Sequence, residues 1–162
     1  MKILGIDTGK RGGFVIIDES GKVIDKLIMP VIDKEYDVTT ILSFLEDHKD
    51  VDFAVIEKIH AMFQVPAKTT FEMGKGYGIV LGLLYNFKIK FYEVTPKQWQ
   101  KKIHVNCLAS RAKDKSYYIF NREFPELAET FKISPKGNKT LKPHDGLIDA
   151  LLIAEYGRRV LK

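Results

Sequence analysis

Residues 2–18 read KILGIDTGKRGGFVIID, and this stretch decides how the first half of the chain is interpreted. Two apolar runs of strand length, residues 2–7 and 13–18, flank a turn that contains Gly12 and Gly13. Glycines between two such runs are typical of an antiparallel hairpin. The first run ends in Asp7, which Thr8 and a glycine follow, so the sequence predicts a carboxylate at the end of a buried strand.

Three classes of protein place an Asp close to a Gly at a strand end: aspartic proteases, actin-like ATPases and ribonuclease-H-like nucleases. A chain of 162 residues is about one domain, and we predict a single domain over residues 1–162. Actin-like ATPases hold ATP between two lobes and need roughly twice this length. Retroviral-type aspartic proteases are almost entirely β, whereas this sequence signals at least three helices, so the remaining residues must decide between the classes.

The composition indicates a globular protein of a reducing compartment. The apolar fraction is 45%, and the single cysteine, Cys107, cannot form an internal disulfide. The N-terminus has no signal-peptide pattern, and no apolar run is long enough to cross a bilayer. We therefore expect a cytoplasmic protein without a membrane partner.

Basic residues are concentrated in the C-terminal half of the chain. The formal net charge is +5, which suits a polyanionic partner, and three basic clusters together favour a nucleic-acid face over a merely solvated surface. The clusters are Lys97, Lys101 and Lys102; Arg111, Lys113 and Lys115; and Lys132, Lys136, Lys139 and Lys142.

After the hairpin, the pattern predicts further strands and helices in alternation. A third strand is expected over residues 22–29, a helix from the capping residue Asp37 to about His48, and a strand over residues 52–57. A long helix, a strand, two shorter helices and a terminal helix follow, over residues 67–86, 89–94, from Pro96, 110–122 and 143–159. The predicted fold is α/β, with a five-stranded mixed sheet of three antiparallel and then two parallel strands, flanked by helices.

Four acids occupy positions that this fold would bring together. Asp7 ends the first strand and Glu57 ends the fourth, so both fall at one edge of the sheet. Asp145 and Asp149 are four residues apart and project from one face of the terminal helix. The helix dipole alone would explain Asp145, because acids are favoured in a first turn.

Asp149 is harder to explain as a structural residue. It borders the apolar run of residues 150–154, where an unpaired charge is costly to bury. A cation shared with the other acids would compensate that charge. Oxygen ligands favour Mg²⁺ or Mn²⁺, and the lone cysteine and scattered histidines give no spacing typical of zinc.

Five stretches of the chain, in this order, resemble RuvC-type Holliday junction resolvases, most closely the compact forms encoded by bacteriophages. They are ILGIDTG (residues 3–9), AVIEKIHAMF (54–63), FEMGKGYGIVLGLLYN (71–86), FYEVTPKQWQKK (91–102) and HDGLIDALLIAEYG (144–157). The resemblance covers essentially the whole chain.

The resemblance implies a ribonuclease-H-like fold and a homodimeric endonuclease that cuts four-way DNA junctions with two symmetric nicks, in the bacterial host cytoplasm if a phage encodes the chain. It implies two Mg²⁺ or Mn²⁺ ions per active site, with Asp7, Glu57, Asp145 and Asp149 as catalytic metal ligands. Many cellular members carry the two helix ligands three residues apart, but Gly146 stands three residues before Asp149. Either Asp145 or His144 would take that role, and Asp145 is favoured.

The resemblance also suggests residues that contact DNA. His60 or Phe63 would probe bases near the crossover, although a surface role for His60 and a core role for Phe63 are equally consistent with the sequence. In KQWQKK, a phosphate contact would fall to Lys97 or Lys101. Lys113 and Lys115, from the second basic cluster, complete the predicted DNA-binding set.

Alternatives within and beyond this class stay open. A broader branched-DNA nuclease, a nuclease of RNA–DNA hybrids, or a non-catalytic junction-binding protein could use the same fold.

Gly74, Gly78 and Gly82 recur every four residues in the long helix, and each costs about 1 kcal/mol of helix stability relative to alanine. Close packing would compensate this cost, either against the protein's own sheet or in the dimer interface that the resemblance implies.

Overall fold

The computed structural model describes residues 1–59, 65–133 and 141–161, without the side chains of residues 112 and 113. In chain order the elements are β1 (Lys2–Asp7), β2 (Gly13–Asp18), β3 (Val23–Ile28), β4 (Val31–Ile32), β5 (Glu35–Tyr36), α1 (Val38–Asp47), β6 (Phe53–Glu57), α2 (Ala67–Asn86), β7 (Phe91–Val94), α3 (Pro96–Ile103), α4 (Ala112–Glu123), a 3₁₀ turn (Pro125–Leu127), β8 (Lys132–Ile133), β9 (Lys142–Pro143) and α5 (Asp145–Val160).

The central sheet has five strands in the order β3-β2-β1-β6-β7. β1, β2 and β3 pair antiparallel, whereas β1 with β6 and β6 with β7 pair parallel. The predicted α/β fold with a mixed five-stranded sheet is therefore confirmed. Ile6 of β1 pairs with Ile56 of β6, so Asp7 and Glu57 follow at the next position of two neighbouring parallel strands.

Two short ladders, β4 with β5 and β8 with β9, were not predicted. Each strand has only two residues, which is too short to show the alternation that identifies a strand in sequence. The β4–β5 hairpin places Tyr36 in the core, beside the loop that follows β1. The β8–β9 ladder leads directly into α5.

Helices cover both faces of the sheet. α5 packs with α3 and α4 on the face that carries Ile3, Val15 and Val55, and α1 and α2 cover the face that carries Leu4 and Ile6. Alternate residues of each strand thus supply two separate apolar layers. In the described part of the chain, no helix is long and apolar enough to cross a membrane.

α5 lies against β1 at unusually close range. A Cβ added at Gly5 would lie 2.0 Å from the carbonyl oxygen of Ala150 and 2.5 Å from the nitrogen of Ala154. Real Cβ atoms do not approach backbone atoms so closely, so only glycine fits at this crossing. The contact brings the first turns of α5 beside the end of β1.

Candidate active site

Asp7 stands at the carboxyl end of β1, where the chain turns toward β2. The N–H of Gly9 donates a hydrogen bond to Asp7 Oδ1 at 3.1 Å, which fixes the side chain over its own loop. Burial raises the pKa of Asp7, and the Gly9 bond opposes this shift. Thr8, between the two, is buried, so the loop packs tightly against the core.

Glu57 ends the neighbouring strand β6 and is held from the side by α3. The indole Nε1–H of Trp99 donates a hydrogen bond to Glu57 Oε2 at 2.6 Å. The pKa of Glu57 is raised to about 7, mainly by burial and to a smaller extent by the charge of Asp7, while the indole bond opposes the shift. Glu57 therefore binds a proton near neutral pH unless a cation compensates its charge.

Asp149 extends from the second turn of α5 toward the same place. Its Oδ1 is shielded from solvent and has no hydrogen-bond partner. Burial raises the pKa of Asp149 to about 7, with smaller contributions from the charges of Asp7, Glu57 and Asp145, and a hydrogen bond from Ser116 opposes the shift. The sequence-based expectation that Asp149 is an acid in need of a partner agrees with this environment.

Asp145 and His144 begin α5 and differ in what they contact. Asp145 Oδ2 lies 3.6 Å from Nη2 of Arg11, a residue of the β1–β2 turn. His144 caps the helix, because its Nδ1 accepts a hydrogen bond from the Leu147 N–H at 3.1 Å. The capping bond gives His144 a structural task, and the choice between Asp145 and His144 as a metal ligand stays a prediction.

Gly146 explains why no ligand stands three residues before Asp149. A Cβ at Gly146 would lie 2.0 Å from the carbonyl oxygen of Arg11 and 2.4 Å from the Cα of Gly12. The first turn of α5 therefore rests directly on the β1–β2 turn, with no space for a side chain. An acid in the first turn can be accommodated at Asp145 instead.

The donor set fits a hard divalent cation. Among the described residues, no three His, Cys, Asp or Glu side chains lie close enough to form a ready-made metal cage. Asp7, Glu57 and Asp149 nevertheless lie within range of one another's charge, and the unpaired Asp149 oxygen lacks a partner that a cation would supply. A gap of about 10 Å³, lined in part by Ser116, Asp145 and Asp149, is about the space that one water-sized group needs.

An open groove of about 820 Å³ is lined by Asp145, at the start of α5. Lys10 and Arg11 line it from the β1–β2 turn, Lys142 from β9 and Tyr117 from α4, with Asp145 between them. Sequence reasoning did not assign Lys10, Arg11 or Tyr117 to the site, because only the fold brings these three elements together.

Trp99 and Ser116 were also missed as neighbours of the acids. The sequence could have indicated a partner for Trp99, because a buried indole N–H usually donates a hydrogen bond to a nearby acceptor. Strand β7 leads directly into α3, and Glu57 at the end of β6 pairs with Val94 at the end of β7, so α3 begins beside Glu57. Ser116 has no such signal, because a serine within a helix is compatible with many environments.

The predicted DNA-binding residues are only partly described. Lys97 and Lys101 are exposed on α3, and Lys115 is half-buried on α4. His60, Phe63 and the side chain of Lys113 lie outside the described residues. Their assignment, and that of the three lysines, stays a prediction.

The strand order and the helices on both faces define a ribonuclease-H-like fold with acids at the edge where β1 and β6 end. Neither the comparison with protein-family models nor that with curated protein sequences gives a match. Solved structures are similar over nearly the whole chain. Thermus thermophilus RuvC, in complex with a Holliday junction substrate, is 16% identical with a TM-score of 0.65, and the match covers 98% of this chain and 96% of that one.

Two further resolvases from other organisms show the same likeness. The yeast mitochondrial Holliday junction resolvase Ydc2 is 14% identical with a TM-score of 0.65, over 97% of this chain and 77% of that one. The fowlpox virus resolvase, in complex with Holliday junction DNA, is 18% identical with a TM-score of 0.59, over 99% of both chains. The chain therefore has the fold of RuvC-type Holliday junction resolvases, as the sequence resemblance predicted.

Proposed function

We propose that this chain is a metal-dependent endonuclease that resolves four-way DNA junctions by paired symmetric nicks. The observation that carries the proposal is the meeting of Asp7, Glu57 and Asp149, from three distant segments, within range of one another's charge. One of them leaves a buried oxygen without a partner. The fold around them is shared with proteins that are known as Holliday junction resolvases.

Asp7, Glu57, Asp145 and Asp149 would hold two Mg²⁺ or Mn²⁺ ions. Two such ions, when bound, supply an activated water and stabilise the leaving oxygen of a phosphodiester. The protein itself fixes the acids: the Gly9 N–H restrains Asp7, and the Trp99 indole restrains Glu57. No side chain is required as a nucleophile.

DNA would be bound through its phosphates. Lys97, Lys101 and Lys115, together with Lys113, His60 and Phe63 as predicted from the sequence, are the proposed DNA contacts. Phosphate contacts give an affinity that falls as salt rises, whereas selectivity for a four-way junction requires a particular arrangement of binding surfaces.

A homodimer would provide that arrangement, and the outer face of α2 supports it. Among the described residues and outside the helix's own backbone, a Cβ at Gly74, Gly78 or Gly82 would meet no heavy atom within 4 Å, so these glycines do not pack on the protein's own sheet. Phe71 and Tyr85, at the two ends of this glycine face, are 71% and 70% exposed. A twofold dimer through α2 would place two active sites symmetrically on a twofold junction.

The experiment that tests this function is cleavage of a synthetic mobile four-way junction with Mg²⁺, Mn²⁺ or EDTA. Linear duplex, a Y-fork and an RNA–DNA hybrid serve as competing substrates, and Asp7→Asn serves as the matched inactive variant. Paired symmetric nicks that need metal and vanish in the variant are expected. Faster cleavage of the fork or the hybrid would favour a broader nuclease, and binding without cleavage would favour a junction-binding protein.

The dimer is tested separately by the molar mass in solution. Light scattering of the wild type should give twice the mass of one chain, and Gly78→Trp, which fills the glycine face, should reduce it toward one chain. A monomeric wild type that still makes paired nicks would contradict the role proposed for α2.

A further inference from the structure

Helices α3 and α4 contribute a chain of contacts behind the acids, which we call the backing chain: Trp99, His104 and Ser116. Trp99 is 1% exposed and gives its indole N–H to Glu57 Oε2 at 2.6 Å. The Trp99 ring meets the His104 ring edge-on, with centroids 5.3 Å apart. His104 Nε2 lies 3.2 Å from Ser116 Oγ, and Ser116 lines the same small gap as Asp149, whose pKa it helps to lower.

The backing chain thus begins at one acid and ends at another. Glu57 comes from β6 and Asp149 from α5, and neither element alone fixes the distance between the two carboxylates. The backing chain spans them through two other helices. Ser116 is 5% exposed, and it lines the small gap that also borders Asp145 and Asp149.

Contacts other than the indole hydrogen bond also hold α3 in place. α3 is already fixed by a capping box, in which Thr95 and Gln98 bond each other's backbone N–H groups, and by the burial of Ile103. The Trp99 ring itself also fills the core, because it is among the largest fully buried side chains. The indole adds a directed hydrogen bond to a charged oxygen, a stronger type of bond than one between neutral groups.

We infer that Trp99 and Ser116, joined by His104, are positioning residues that hold Glu57 and Asp149 at a fixed separation for cation binding and cleavage. The indole bond restrains Oε2 of Glu57. Among the described residues, Oδ1 of Asp149 has no hydrogen-bond partner, so this oxygen is available to a ligand. The inference rests on the proposed metal-dependent nuclease activity.

The test measures Mn²⁺ binding to the DNA-free protein by calorimetry, next to junction cleavage. Partners that orient metal ligands typically contribute about 10–100-fold to affinity or activity. Trp99→Phe and Ser116→Ala should therefore weaken Mn²⁺ binding and lower kcat by about 10-fold or more, with the KM for the junction unchanged. Trp99→Phe keeps an aromatic ring in the core and removes only the N–H donor.

Ile103→Ala is the matched control, because it loosens α3 from the same core without touching an acid. It should lower Tm at least as much as Trp99→Phe while its folded form keeps wild-type Mn²⁺ affinity. A second pair of variants tests His104. His104→Phe keeps the contact with the Trp99 ring but removes the polar contact with Ser116, so it should weaken Mn²⁺ binding as much as Ser116→Ala does. His104→Gln keeps a side-chain donor and should recover most of the lost affinity.

The outcomes separate the inference from the proposed function. Wild-type Mn²⁺ affinity and kcat in both Trp99→Phe and Ser116→Ala would overturn the positioning role and leave the nuclease intact. A loss of Mn²⁺ affinity in Ile103→Ala as large as that in Trp99→Phe would show that the effect is general loosening, and would also overturn it. A wild-type protein that neither binds Mn²⁺ nor cleaves a junction would overturn the proposed function itself.

Discussion

Helix α5 carries two shielded acids six residues apart, Asp149 and Glu155, and their surroundings differ completely. Glu155 is 1% exposed and accepts hydrogen bonds from Arg158 at 2.5 and 2.6 Å and from Arg159 at 2.5 Å. Asp149 has an oxygen without any hydrogen-bond partner. The described part of the chain therefore supplies partners for Glu155, whereas it supplies none for Oδ1 of Asp149.

The partners of Glu155 show what a structural acid looks like in this protein. Arg159 also bonds Glu123 of α4 at 2.5 Å, so the acid is part of a network that joins two helices. Near Asp149 the surrounding charges are other acids, and burial raises the pKa of Asp149 to about 7. Burial alone therefore does not distinguish a functional acid from a structural one, and the described surroundings of Asp149 and Glu155 differ in whether a cationic side chain is bonded to the acid.

The largest expected effect comes from exchanging each acid for its amide. Asp149→Asn should reduce junction cleavage at least about 10³-fold, because a ligand that acts on the transition state is removed. The same variant should raise the free energy of unfolding of the metal-free protein at pH 8 by up to about 4 kcal/mol, because a shielded charge is removed. Cleavage assays and urea unfolding of the same preparations measure both.

Glu155→Gln is the matched control and should behave in the opposite way. It should lower the free energy of unfolding by about 2–3 kcal/mol, because two arginines lose their partner but still reach solvent. The folded fraction should cleave at the wild-type rate. If Asp149→Asn destabilised the protein and Glu155→Gln abolished cleavage, the distinction between the two acids would be wrong.

A second prediction converts Glu155 into an acid of the Asp149 type. Arg158→Gln combined with Arg159→Gln leaves a carboxylate that is 1% exposed without a cation, which should cost about 3–5 kcal/mol of unfolding free energy. The loss should be larger at pH 8 than at pH 5, because protonation relieves an unpaired buried carboxylate. Urea unfolding at the two pH values measures it, and an equal loss at both would argue against charge as its cause.

The third prediction concerns pH. The pKa values of Glu57 and Asp149 are raised to about 7, so the folded metal-free protein holds protons there that the unfolded chain has released. The resulting stabilisation is complete below about pH 4, the ordinary pKa of these acids, and is lost as pH rises through about 7. The metal-free Tm should therefore fall across this window, apart from the contributions of other groups.

Mg²⁺ should counteract this loss, and its effect on Tm should grow with pH, because the cation binds the charged acids. Asp149→Asn should flatten both the pH dependence and the response to Mg²⁺, whereas Glu155→Gln should leave their shapes unchanged. Thermal melts with Mg²⁺ or EDTA between pH 5 and pH 9 provide the measurement. A Mg²⁺ effect of equal size at every pH would count against binding to these two acids.

The sequence was sufficient to predict the sheet and the position of Asp7 and Glu57 at one edge of it, because both depend on short-range patterns. Apolar runs marked β1, β2 and β6, and Asp7 and Glu57 ended two of them, so the edge where they meet followed from topology. The two-residue ladders and the start of β7 at Phe91 show no such pattern. The contacts of Trp99, Ser116 and Arg11 depend on how helices and turns pack across the sheet. The spacing of residues within one segment does not predict such contacts between distant segments.

The two faces of α2 show a contrast similar to that between Glu155 and Asp149. Here the glycines differ in whether neighbouring atoms leave room for a side chain. At Gly76 a Cβ would lie 2.3 Å from the hydroxyl of Tyr36 and 2.7 Å from the carbonyl oxygen of Thr8, so the chain itself explains this glycine. Tyr36 in turn lies 3.3 Å from that carbonyl, beside Asp7. Gly78 faces open space, and nothing in the described part of the chain explains it.

The smallest expected effect tests this second contrast. Gly76→Ala should cost about 1–3 kcal/mol and lower cleavage, because it displaces Tyr36 and the loop that carries Asp7. Gly78→Ala should instead stabilise an isolated chain by about 1 kcal/mol through helix propensity. If a second copy packs on that face, Gly78→Ala should weaken the dimer while the monomer becomes more stable. Unfolding followed over a range of protein concentrations separates the two contributions, and a gain in stability at every concentration would mean that the open face of α2 has no partner.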